Sequence, residues 1–101
     1  MSNPAELIPD LIADLRLYAP SEGGRTKPIW TNFRCPCAVS NGKPEMLHTS
    51  QLLFGSEPIN PGESRQVGFA FLTTEGADAI RRAGTFYLWD GRIFAEATIV
   101  R

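Results

Sequence analysis

The sequence has little of what most enzymes and membrane proteins carry. It holds two cysteines and one histidine, His48. Two cysteines are too few for the disulfide framework of a small secreted domain, and one histidine limits acid–base and metal chemistry. No apolar run approaches the roughly 20 residues that cross a bilayer as a helix. Met1 to Asp10 lacks the basic start and apolar core of a signal peptide. The expectation is a cytoplasmic chain with no membrane contact. Charge of one sign is also missing: ten Lys and Arg against eleven Asp and Glu leave a formal net charge of -1. With no global field, any contact with nucleic acid needs a local patch. At 101 residues the chain is too short for two full domains.

What is there is an ordinary globular composition, 43% hydrophobic and 21% charged, cut into short pieces by eight prolines and nine glycines. There is no internal repeat, low-complexity tract or linker. Residues 1–10 read as a tail with a helical turn. Leu11 to Ala19 alternates, with Ala13, Leu15, Leu17 and Ala19 on one side and Asp14, Arg16 and Tyr18 on the other, the pattern of a half-buried strand. Ile29 to Val39 reads as a second strand with an edge or bulge at Pro36, because proline cannot donate to a ladder. Asn41-Gly42 signals a tight turn. Met46 to Phe54 is a weaker third strand, and Pro61-Gly62 turns the chain into Ser64 to Leu72, where Val67, Phe69 and Phe71 share a face. Thr74 to Ala83 fits a short helix capped by Thr73 or Thr74 and ended by Gly84. Thr85 to Trp89 and Arg92 to Val100 are strands joined by Asp90-Gly91, a type I′ signal. Short strands at this spacing predict an all-β protein, a six-stranded antiparallel closed barrel with one short helix, over residues 11–101.

The chemistry-bearing motifs are few. Cys35-Pro36-Cys37 puts two thiols on one face of a strand. With His48 they could make a small zinc or thiol site, but a structural zinc wants four ligands and nothing supplies an activated nucleophile. They read as small apolar fillers; no metal, cofactor or catalytic residue is expected. Glu22-Gly23-Gly24-Arg25 lacks the phosphate-loop pattern, so no nucleotide is expected; Arg25 reads as a brace for that loop. Charge is uneven: residues 1–22 set Arg16 against Glu6, Asp10, Asp14 and Glu22, whereas residues 23–43 carry Arg25, Lys27, Arg34 and Lys43 with no acid. Trp30 and Phe33 lie among those cations, a mixture that suits phosphate contact and base stacking as well as a solvated face over a core. Arg81-Arg82 reads as a solvated helix face.

Glu22-Gly23-Gly24-Arg25, Pro28, Trp30 and Asn32-Phe33-Arg34, followed by Pro61-Gly62-Glu63, Phe86, Asp90-Gly91-Arg92 and Thr98-Ile99-Val100, resemble in order and spacing the C-terminal barrel (domain III) of elongation factor Tu. The resemblance spans roughly residues 11–101 and implies a six-stranded antiparallel barrel. No GTPase domain or second barrel stands before it, so it implies a detached, non-catalytic binding module that would not hydrolyse GTP. After Arg34 the family's Pro-Gln-aromatic is replaced by Cys35-Pro36-Cys37, and Thr74–Gly84 lengthens the connection between the fourth and fifth strands. In the family this domain contacts aminoacyl-tRNA, the GTPase domain and the exchange factor. The expected partner is therefore a protein, translation-related in the resemblance's terms, with tRNA bound through the local basic patch as the alternative. The candidate surface is Arg25, Lys27, Trp30, Arg34, Gly91 and Arg92, with Tyr87 and Trp89 as further aromatics that an exposed patch would use.

Overall fold

Alternation dictates the strands, and their inward residues make the core. In the computed structural model, which describes residues 7–42 and 46–101, β1 (Leu11–Leu17) buries Leu11, Ala13, Leu15 and Leu17 and turns Asp14 to solvent. β2 (Arg34–Ala38), β3 (His48–Leu53), β4 (Ser64–Phe71), β5 (Thr85–Trp89) and β6 (Ile93–Ile99) follow, with helix α1 (Thr74–Ala83) between β4 and β5. The strands close into a barrel in the order β1-β4-β3-β2-β5-β6, every pair antiparallel. The expected architecture is the one observed. Phe69, Phe86 and Phe94 fill the interior with Leu15, Leu52 and Leu88, and Phe69 meets Phe86 edge-on at 5.0 Å between ring centroids.

The two ends of the barrel differ. At one end lie the β1–β2, β3–β4 and β5–β6 connections. Two of them meet there: Ile29 and Ile59 exchange both backbone hydrogen bonds, at 3.0 and 2.9 Å, and both side chains are buried, so the pair stoppers this loop end. At the other end α1 crosses from β4 to β5 and packs Gly76, Ala77 and Ile80 inward. Thr73 caps it by accepting from the Gly76 N–H at 2.9 Å, and Gly84, at φ 78°, ends it. Among the described residues no helix is long and apolar enough to cross a membrane.

Several boundaries move for physical reasons. β1 ends at Leu17, because Ala19 opens a 3-10 turn over Pro20–Glu22. The second strand starts at Arg34, not Ile29: Trp30 to Phe33 is a turn closed by Phe33 N–H on the Trp30 carbonyl at 3.2 Å, with Asn32 left-handed at φ 71°, a conformation its short polar side chain tolerates. The third strand starts at His48, not Met46. Pro36 sits where the β2–β5 ladder stops, since Cys37 and Ala38 pair with Leu88 and Tyr87 and Pro36 has no partner there. Asp90-Gly91 does make a hairpin, but not of type I′. Only Gly91 has positive φ, 96°, and a register shift at Leu88/Trp89 takes up the odd residue. The Asn41-Gly42 turn is described only in part, because Lys43 lies outside the described residues. So does most of the expected tail, residues 1–6. Its remaining end is tied down: Asp10 N–H donates to the Phe69 carbonyl at 2.8 Å, and the Asp10 carboxylate accepts from Phe71 N–H at 2.7 Å.

Candidate binding surface

Each residue of Glu22-Gly23-Gly24-Arg25 has a separate task. The Glu22 carboxylate closes the turn by accepting from Ala19 N–H at 2.9 Å and from Arg16 at 3.1 Å. These contacts, the backbone one first, hold its pKa below the usual carboxylate range. Gly23 is left-handed at φ 90°. Gly24 is pressed against the backbone: a Cβ there would lie 1.9 Å from the Tyr18 carbonyl oxygen. The turn so formed aims Arg25 back across the barrel mouth. Its guanidinium lies over the rings of Phe33 and Phe94, at 5.1 and 5.4 Å, and donates to Asp90 at 3.1 Å. Its Nε is buried without a partner. Arg25 is thus the brace the sequence suggested, held by an ion pair. Arg92 adds a second tie, donating to the Gly24 carbonyl at 3.2 Å.

Between these ties lies a shallow, open dish of about 250 Å³ lined by Arg25, Thr26, Lys27, Asp90 and Arg92. No family model and no curated protein matches this chain. Its function is therefore argued from the site. The six candidate residues share the loop end. Arg25, Lys27 and Trp30 lie on the β1–β2 connection, Arg34 opens β2 and Gly91 and Arg92 form the β5–β6 hairpin. Trp30 is 58% exposed, whereas Phe33, its neighbour across the turn, packs on the core; the two aromatics among the cations therefore divide into one surface and one core residue. Lys27 and Arg34 are exposed, and neither forms an ion pair among the described residues. Trp89 and Tyr87 are half-buried on the outer face of β5, opposite the buried Phe86 and Leu88.

The sequence missed Asp90 as the counter-ion of the basic stretch, because the two are far apart in the chain and meet only through the barrel mouth. It also missed the outer cluster in which Arg16 contacts Glu22 and Glu96 and stacks on Tyr18 at 4.9 Å, while Tyr18 Oη donates to Glu96 at 3.0 Å. Alternation of Arg16 and Tyr18 hinted at a shared face; Glu96 had no signal.

Cys35 and Cys37 point inward and are buried as free thiols. Ser50 holds them, its hydroxyl lying 3.3 Å from Cys37 Sγ and donating to the Cys35 carbonyl at 3.3 Å. Burial pushes the Cys37 thiol up to about 12 and drives Cys35 upward as well, the second charge of Cys37 adding to the effect. His48 pairs with Cys37 across the ladder. Among the described residues no three His, Cys, Asp or Glu side chains converge as a metal would need.

Proposed function

We propose that the chain is a non-catalytic binding module whose loop end receives a protein partner, a translation factor being the class that its elongation-factor-Tu-like motifs suggest. The observation that carries this reading is the exposed Trp30 at the same loop end as a dish of mixed charge. Aromatic and arginine side chains are favoured at the centres of protein interfaces, and a dish whose arginine is already matched by Asp90 suits a partner with both charges. The tRNA alternative draws on Lys27 and Arg34. It is weakened because Arg25 and Arg92 are engaged by Asp90 and the Gly24 carbonyl, which leaves fewer cations to neutralise phosphates.

The test is capture from native lysate by the full tagged chain, with and without RNase, beside the Trp30→Ala and Lys27→Glu variants. The expected result is one protein partner that survives RNase and is retained at least tenfold less by Trp30→Ala, a loss on the order of 1–2 kcal/mol at an interface centre. Recovery of tRNA, lost on RNase treatment and falling steeply with salt, would replace this reading by the RNA one.

A further inference from the structure

The exposed apolar residues are not spread over the surface. Among the described residues only Trp30 of the large ones lies at the loop end. Met46, Leu47 and Leu72 flank the start of α1, where Leu72 N–H donates to the Thr49 carbonyl and Gly76 approaches His48. Val100 lies near its end, where Arg81 donates to the Asp10 carbonyl and Val100 N–H to that of Ile12. Met46 is 68% and Leu72 63% exposed. Clustered exposure of this kind marks a contact surface.

The helix between these flanks tells what the partner is. Its outward stripe carries Glu75 and Asp78 in the first half and Arg81 and Arg82 in the second, all exposed. Asp78 and Arg82 are spaced to pair along the helix, yet none of the four takes part in an ion pair among the described residues. With Asp10 and Arg101, this end carries three acids and three arginines among the described residues, a balance that favours neither a polyanion nor an anionic bilayer. A stripe that is acidic at one end and basic at the other is complementary to itself turned around. Across a two-fold axis, the acidic half of each α1 faces the basic half of the other, and the helix dipoles oppose favourably. A standard interface takes about 800 Å² per partner, a small share of the 6050 Å² surface.

We propose that the chain forms a two-fold symmetric homodimer through this end, α1 antiparallel to its partner's α1 with the apolar flanks closing around the pair. The proposal does not depend on the function assigned to the loop end.

The test uses sedimentation velocity on the full chain over a wide concentration range. The wild-type chain is expected to be dimeric. Glu75→Arg and Arg82→Glu each place like charges against each other twice, by symmetry, and should weaken the dimer on the order of tenfold. Mixing the two variants restores both contacts, so the mixture should associate as tightly as the wild type. Both substitutions are on the surface, and unchanged melting of the isolated monomers verifies the fold; Leu72→Asp supplies an apolar disruption of the same dimer. A wild-type monomer at every concentration overturns the proposal, including one whose helix end takes a different protein. A dimer indifferent to both reversals and to their mixing also overturns it.

Discussion

Cys37, Cys35 and Tyr18 are each protonated in the fold well above the pH at which they would ionise in water. Burial is the leading cause for all three, and for Tyr18 the hydrogen bond to Glu96 adds to it. The unfolded values are 9.0 for the thiols and 10.0 for Tyr18, and Cys37 and Tyr18 rise to about 12 in the fold. Below pH 9 both states hold these protons and stability does not depend on them. Between pH 9 and about 12 the unfolded chain releases protons that the fold retains, so stability falls as pH rises. The urea midpoint should therefore decline steadily above pH 9, and Cys37→Ala should flatten that decline. That the two cysteines share a face was legible from their two-residue spacing; that this face is the inner one follows from closure of the barrel around it. The bracing role of Arg25 was legible from its loop, but its partner Asp90 was not, because that partner is fixed by barrel closure rather than by any local pattern.

At the scale of elements, the loop after β1 is tightly constrained at its second glycine. Gly24 has no room for a side chain, because the obstacle is backbone, the Tyr18 carbonyl at 1.9 Å from a built Cβ. Gly24→Ala should cost about 3 kcal/mol or more, at the upper end of overpacking effects. Gly55→Ala, where nothing lies within 4 Å, should stay within about 0.5 kcal/mol; parallel urea titrations would compare them. A Gly24→Ala midpoint equal to that of Gly55→Ala would show the loop to be free to yield. The helix was readable end to end, since Thr73 and Gly84 are local signals read at their own positions. The segment from Ile29 to Phe33 was not: its apolar residues look like a strand, yet Ile29 is committed to a distant bridge with Ile59, and that commitment turns the chain before β2 begins. The β5–β6 hairpin was found but its turn type was not, because the bulge that sets it depends on the register of both strands.

For the whole molecule, the two ends form separate surfaces with the packed barrel between them. Trp30→Ala should leave sedimentation unchanged, and Arg82→Glu should leave partner capture per monomer unchanged; cross-effects in either assay would mean that the ends communicate through the core. Closure was legible because six short alternating segments with few helices leave little other than a barrel, and closure removes the exposed edges that an open sheet would present; the order of the strands around it was not, because it is set by pairings between distant segments. That closure also sets an order in time. β1 is the first of the described strands, yet its two neighbours are β4 and β6, and Leu15 lies opposite Ala97, roughly eighty residues on. During synthesis the first strand must wait for the last before its second edge is covered. Contacts so distant along the chain slow folding, whereas β2 and β3 can pair as soon as both are made.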